Sequence, residues 1–317
     1  MARRQMENGR IEGSPSPPQR SGFEQELVNQ LAREFLAEQR RSRRWSVFFK
    51  LLLALYLFAF LLIYVAEELE IDAAGFPGKE HTALVDIEGV IAVDAGASAD
   101  HIVAGLRAAF DNDRTAGVII RINSPGGSPV QAGYVNDEIR RLRAKHPDIP
   151  IVAVISDLCA SGGYYIAVAA DKIYADKASI VGSIGVVMTG FGFVEAIQKL
   201  GIERRLQQAG ENKGFLDPFS PMKESDVQHV DSLVKAIYGQ FVEIVKRGRG
   251  DRLKADEQIF SGLVWTGEQS LELGLVDGLG SAGYVAREII GAEDIVDFTR
   301  RESYLDRFAK GLGTVLA

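Results

Sequence analysis

An α/β fold with a largely parallel sheet, carried behind one membrane-spanning helix, is what the sequence predicts, and three observations predict it. Short apolar, β-branched runs alternate with helical patterns from residue 83 onward, the order that builds parallel sheets. Two of those runs, 117–122 and 151–155, end in glycine-rich turns that open helices. Near the N-terminus, Val47 to Ala66 is apolar apart from Lys50 and long enough to cross a bilayer as a helix.

Taken in order, residues 1–22 are polar and carry Ser14-Pro15-Ser16-Pro17-Pro18, a composition that predicts disorder. Phe23, Leu27, Leu31 and Phe35 then recur every fourth residue. That is an amphipathic helix, suited to the inner membrane surface or to a soluble partner. Residues 1–46 thus read as a cytoplasmic segment. Residues 47–66 start late and are long for the apolar part of a cleavable signal, with no convincing small-x-small site behind them. They read as a retained anchor. Arg40, Arg41, Arg43, Arg44 and Lys50 lie at or before its start, while Glu67, Glu68, Glu70 and Asp72 follow. An excess of Lys and Arg marks the cytoplasmic side, so the N-terminus is inside and the large C-terminal part exported. Residues 67–80 form an acidic linker.

Residues 81–298 read as one exported domain. Ala83-Leu84-Val85-Asp86-Ile87 is a strand, and Ala99 to Phe110 a helix. Gly117 to Ile122 is the next strand and runs into Asn123-Ser124-Pro125-Gly126-Gly127-Ser128, followed by a helix through Ala144. Ile151 to Ile155 is short and β-branched enough for a buried strand. Tyr164 to Ala170 is Ala-rich and helical, so Ser161 stands where a strand turns into a helix. Lys172 to Ala175 is a short strand, Ser179 to Val187 a glycine-broken apolar stretch, and Phe193 to Leu200 a helix. Residues 207–221 have the Pro and Gly of a surface loop. Ser225 is placed to cap a long helix whose Val227, Val230, Val234, Ile237, Phe241, Ile244 and Val245 share one face. A last helix and turn take up 268–280, and 299–317 is a C-terminal tail.

Charge narrows the partners. The first 50 residues carry ten basic and six acidic side chains, so the chain's net −7 leaves about −11 on the rest. An acidic exported domain does not attract nucleic acid. Cys159 is the only cysteine, so no internal disulfide forms and the fold must rest on its core. Beside a candidate active site it invites a thiol-enzyme reading, but its place on the strand side of the turn suits a small buried residue.

A serine at the head of a helix has its oxygen near unpaired N–H groups and the positive end of the dipole, which suits a nucleophile whose oxygen becomes negative. It is also the commonest N-cap residue. Gly126, Gly127 and Gly162 offer bare N–H groups to an oxyanion if the two strand ends meet. A serine nucleophile needs a base. His81, His101, His146 and His229 all stand in polar or solvated contexts away from those turns. A lysine acts as base only when neutral, which asks for a pKa brought from about 10 toward 7–8. Lys213, in the glycine-flanked Gly210-Glu211-Asn212-Lys213-Gly214-Phe215, is one candidate, though a solvated loop lysine is the commoner case.

Asn123-Ser124-Pro125-Gly126-Gly127, Ala160-Ser161-Gly162-Gly163-Tyr164-Tyr165, Ser179-Ile180-Val181-Gly182-Ser183-Ile184-Gly185, Lys213, and Gly262 through Gly267 to Gly274-Leu275-Val276-Asp277 occur in one order and spacing. In this the chain resembles the signal peptide peptidase A family of membrane-anchored serine peptidases, over about residues 80–295. The resemblance implies a Clp-protease/crotonase-like domain of repeated ββα units. It implies Ser161 as nucleophile, Lys213 as general base and Ser183 as the group that orients the lysine amine. Gly126, Gly127 and Gly162 would form the oxyanion hole, with no metal and no cofactor. It further implies a ring-shaped homo-oligomer in which Lys213 serves a neighbour's Ser161. Residues 1–46 lie outside the resemblance.

The expected activity is an endopeptidase at the outer face of a bacterial cytoplasmic membrane, cleaving released signal peptides and other short hydrophobic peptides close to the lipid. Tyr164, Val181, Ile184 and Val186 are expected to form an apolar substrate pocket. Three rivals stand beside it: a protease of the same family acting on membrane or misfolded envelope proteins, a crotonase-type acyl-CoA enzyme, and an inactive scaffold.

Overall fold

A computed structural model describes residues 43–61 and 79–301, with the isolated positions 30 and 33. Apart from positions 30 and 33, the amphipathic helix expected over 23–40 lies outside the described residues, as do most of the linker and the tail beyond 301. The chain divides into two units, residues 1–78 and 79–317.

In the first unit, α1 (Arg43–Leu61) is a 19-residue helix long and apolar enough to cross a membrane. It contains residues 47–61 of the expected anchor. Trp45 stacks on Phe49 at 5.7 Å near its N-terminal end, where interfacial aromatics concentrate.

The second unit is a mixed α/β domain around an eight-stranded sheet. Its first half runs β1 (His81–Glu88), α2 (Ala99–Asp111), β2 (Thr115–Ser124), α3 (Pro129–Lys145), β3 (Ile151–Ala160), α4 (Gly162–Ala167), β4 (Lys172–Ala175) and β5 (Ile180–Gly182). Then come α5 (Val194–Lys199), α6 (Glu224–Arg249), β6 (Val264–Thr266), α7 (Gly267–Glu272) and β7 (Gly278–Leu279). The described residues end with α8 (Ala282–Tyr284), a π-helical turn over Val285–Ile290, and β8 (Ile295–Asp297). The main order is β6-β5-β3-β2-β1-β8, with β4 paired to both β3 and β7. Every pairing is parallel except β5 with β6.

After β1 and after β2 the chain makes one more extended contact before its helix, the parallel bridge between Ile91 and Gly127. These first two repeats are therefore strand, one bridging residue and helix, a reduced form of the expected ββα.

Period-two alternation splits the core. Val118, Ile120 and Ile122 of β2 face one way, with Ile102 and Leu106 of α2 and Val135 and Ile139 of α3. Ile119 faces the other way, with Leu84, Val152, Val154 and Tyr174, and is covered by Val285 and Ala286. β3 runs five residues past its expected end at Ile155, because Leu158, Cys159 and Ala160 find partners in β5. Ser225 does not cap α6: the cap position is Lys223, and the Ser225 hydroxyl lies 3.5 Å from the Asp226 carboxylate inside the first turn. Phe241 and Val245 are buried, whereas Val227, in the N-terminal half of the same apolar face, is exposed.

Candidate active site

Ser161 is the hinge between β3 and α4. Its backbone has φ 51° and ψ −119°, a conformation that costs a non-glycine residue of order 1–3 kcal/mol. The strain has a use. In the ordinary N-cap geometry the hydroxyl would turn back onto the helix amides, but here it makes no capping bond. The backbone is held on both sides: the Ser161 N–H donates to Gly182 C=O at 2.9 Å, and the Tyr165 N–H donates to Ser161 C=O at 2.9 Å. The N-cap alternative is thereby set aside, and Ser161 presents its Oγ to a crevice of about 620 Å³.

The end of β2 meets this turn. A Cβ placed on Gly126 would lie 2.6 Å from Gly162 N and 2.8 Å from Ser161 Cβ, so only glycine admits so close an approach, and Gly126 has φ 96°. The three predicted glycines are therefore together. They are not equivalent, because the Gly126 N–H already donates to Ser124 Oγ at 3.1 Å, and that hydroxyl donates to Gly89 C=O at 2.7 Å. The Gly127 and Gly162 amides donate to nothing among the described residues.

Ser183 lines the same crevice and shares the positive φ of Ser161, 51°, with its N–H donated to Leu263 C=O at 2.7 Å. Lys213 does not line it. It is exposed, in a turn closed by its own N–H on Gly210 C=O at 3.1 Å. Its neighbours Gly214 and Leu216 border a second cavity of about 640 Å³, which meets the first at Val186 and Val187.

Of the four expected wall residues, Val186 lines the crevice. Tyr164, Val181 and Ile184 are fully buried in the core instead. Tyr164 turns inward and donates its hydroxyl to Leu275 C=O at 2.8 Å, and burial pushes its pKa up. Sequence reading missed the walls that are there: Tyr165, Val187, Ile237, Gln240 and Phe241. Tyr165 packs on Phe241 at 5.2 Å, and Asn136 Nδ2 donates to its carbonyl at 2.6 Å. The apolar face of α6 was visible in the sequence, but nothing local said that it turns toward a serine some eighty residues earlier.

None of the four histidines lines the crevice. Cys159 is wholly buried under the turn, and desolvation pushes its thiol well above the ordinary range, so it stays protonated and is no nucleophile. A strained serine with a free hydroxyl, facing unspent backbone amides at the carboxyl ends of parallel strands, is the arrangement of a serine hydrolase.

The comparisons with known proteins agree. The model of peptidase family S49 matches residues 143–295. A putative protease of Methanocaldococcus jannaschii is 30% identical over 219 residues, 65% of this chain and 70% of that protein. The putative signal peptide peptidase SppA of Enterococcus faecium is 31% identical over 189 residues, 60% of this chain and 52% of that one. A Brucella melitensis protein named Na(+)/H(+) antiporter NhaA is 45% identical over 186 residues, 59% of this chain but 25% of its own length. The chain thus spans a quarter of the Brucella protein and about half of the Enterococcus one. The chain belongs to peptidase family S49, the signal peptide peptidase A family.

Proposed function

We propose that this chain is a membrane-anchored endopeptidase in which Ser161 is the nucleophile and a neutral Lys213 its base. The observation that carries the reading is the free Ser161 hydroxyl at a strained turn, opposite two amides with nothing else to bind. As Oγ attacks a peptide carbonyl, its proton passes to the lysine amine. The carbonyl oxygen, now negative, accepts N–H bonds from Gly127 and Gly162, while Gly126 shapes the turn with its own amide tied to Ser124. The lysine then gives the proton to the leaving amine, and water repeats the sequence on the acyl-enzyme. Ser183 orients the amine.

Lys213 is outside the crevice of its own chain's Ser161, which supports a dyad completed by a second copy in a ring-shaped homo-oligomer. Exposed apolar side chains along the second cavity, Val187, Phe191 and Met222, support the same arrangement.

The proposed substrates are released signal peptides and other short hydrophobic peptides, cut at the outer face of the bacterial cytoplasmic membrane with the N-terminus in the cytoplasm. Apolar walls at Val186, Val187, Ile237 and Phe241 favour such side chains beside the cut. The test is cleavage of a synthetic signal peptide by the detergent-solubilised full chain beside Ser161→Ala. Wild-type cleavage that vanishes in the variant is expected; equal rates in the two would overturn the assignment.

A further inference from the structure

We propose that Trp265 is a positioning residue for the nucleophile: its indole, laid on Gly182, holds in place the carbonyl that fixes the Ser161 turn. The inference rests on the reading of Ser161 as nucleophile.

A residue in the Ser161 conformation stays there only if its surroundings determine it. Toward β5 that task falls to a single hydrogen bond, from Ser161 N–H to Gly182 C=O. Gly182 is itself a mobile kind of residue, at φ 118° with no side chain to hold it. Its backbone pairs with Ala160 and Val264, and over its bare Cα lies the six-membered ring of Trp265. A Cβ on Gly182 would lie 2.8 Å from both Cε3 and Cζ3 of that ring and 3.0 Å from Leu263 O. The indole therefore rests on bare backbone, with nothing between.

The rest of β6 sets where the ring goes. Trp265 stands opposite Val181, and Val264 opposite Gly182, in the one antiparallel pairing of the sheet. Just beyond, Leu263 C=O accepts the Ser183 N–H. Of the two serines that share φ 51°, Ser183 is thus held by Leu263, just ahead of β6, and Ser161 by Gly182 of β5, the strand that β6 pairs with. The far end of β6 is tied down by a capping box, with Gln269 N–H on Thr266 Oγ1 at 3.2 Å and Thr266 N–H on Gln269 Oε1 at 3.0 Å. Trp265 is half-buried and packs against the main core, so the ring is braced from behind as well.

Removing the ring frees Gly182 to move, and with it the Ser161 amide and hydroxyl, while the crevice walls that grip a peptide stay in place. The effect belongs in kcat rather than KM. Phenylalanine keeps a six-membered ring over Gly182 and should restore what alanine loses.

The experiment uses the detergent-solubilised full chain and one apolar peptide. It measures kcat and KM for wild type, Trp265→Ala, Trp265→Leu, Trp265→Phe and Ser161→Ala, each below its own Tm. Trp265→Ala is expected to lower kcat by about 10- to 100-fold with KM within about twofold, and Trp265→Phe to return kcat to within about threefold of wild type. If the alanine variant does not fold, the leucine variant carries the same expectation. A kcat unchanged in both, a loss seen in KM alone, or no recovery with phenylalanine would overturn the inference. The Ser161→Ala arm separates the two failures: cleavage at the wild-type rate there would remove the nucleophile, and the positioning role with it.

Discussion

Ser124 shows how much of the site depends on a side chain that never reaches the crevice. It is fully buried, and its Oγ takes the Gly126 N–H and gives its proton to Gly89 C=O. This hydroxyl ties up the Gly126 N–H, which leaves the Gly127 and Gly162 amides as the free donors for the proposed oxyanion. Ser124→Ala strands the buried Gly126 N–H at a cost of about 1–3 kcal/mol. It also loosens the turn that aims Gly127, so kcat should fall by about 10- to 100-fold, with KM little changed. Steady-state kinetics on the variant checks this, and a loss confined to KM would contradict it. At this scale the sequence was legible where chemistry and backbone coincide. Ser161 and the three glycines could be found because strand, turn and helix signals converge on them. The walls could not. Tyr164 and Tyr165 are adjacent and chemically alike, yet one points into the core and the other into the crevice, a difference of helix phase set by tertiary packing. Val181 fails for the same reason, because its face of β5 is decided by β3 and β6 on either side.

Elements are joined by a few buried charges. Arg249, near the end of α6, has a side chain only 1% exposed and reaches Asp277 with both terminal nitrogens, at 2.7 and 3.0 Å. The same carboxylate accepts the Ile173 N–H from β4 at 2.7 Å. Burial alone would raise the Asp277 pKa, but the hydrogen bond and charge of Arg249, the Ile173 N–H and the Arg252 charge together outweigh it, so the pKa is lowered. Asp277→Ala leaves a guanidinium buried without its anion and should destabilise the domain by about 3–5 kcal/mol, read from urea unfolding. Glu138 does a similar task nearer the surface. It takes hydrogen bonds from Arg141 on its own helix and from Arg107 of α2, at 2.7–2.8 Å. The Arg141 guanidinium, with Arg107 beside it, holds the carboxyl at about 2 against the burial that would raise it. A carboxylate depressed in the folded state stabilises above its unfolded pKa, and that contribution is lost as pH falls through the folded one. Tm should therefore drop between about pH 4.5 and 2 partly through Glu138, and Glu138→Gln should show a shallower fall over that window. The helices and strands themselves were legible from periodicity, often to within two residues. β3 beyond Ile155 was not, since the pairing that extends it comes from residues 180–182.

For the whole molecule, the question is what the sparse middle of the chain is for. α5 buries no residue, and the apolar face of α6 is buried near Phe241 and Val245 but open toward Val227. A stripe that is apolar along its full length and packed along half of it is short of a partner. In the proposed ring the partner is a second copy, and the same contact carries Lys213 to a foreign Ser161. The arrangement makes a quantitative prediction. Ser161→Ala has every lysine and no nucleophile; Lys213→Ala has every serine and no base. Mixed in equal amounts and allowed to exchange subunits, a random ring finds a wild-type serine beside a wild-type lysine at about one site in four. Activity should then recover to about a quarter of the wild-type value, from two preparations each inactive alone. If the dyad closes within one chain, every site in the mixture lacks one partner and no activity returns, however freely the subunits exchange. Exchange itself is checked by mixing separately labelled wild-type pools and following energy transfer, so silence in the mutant mixture, with exchange seen in the control, would rule out sharing between subunits.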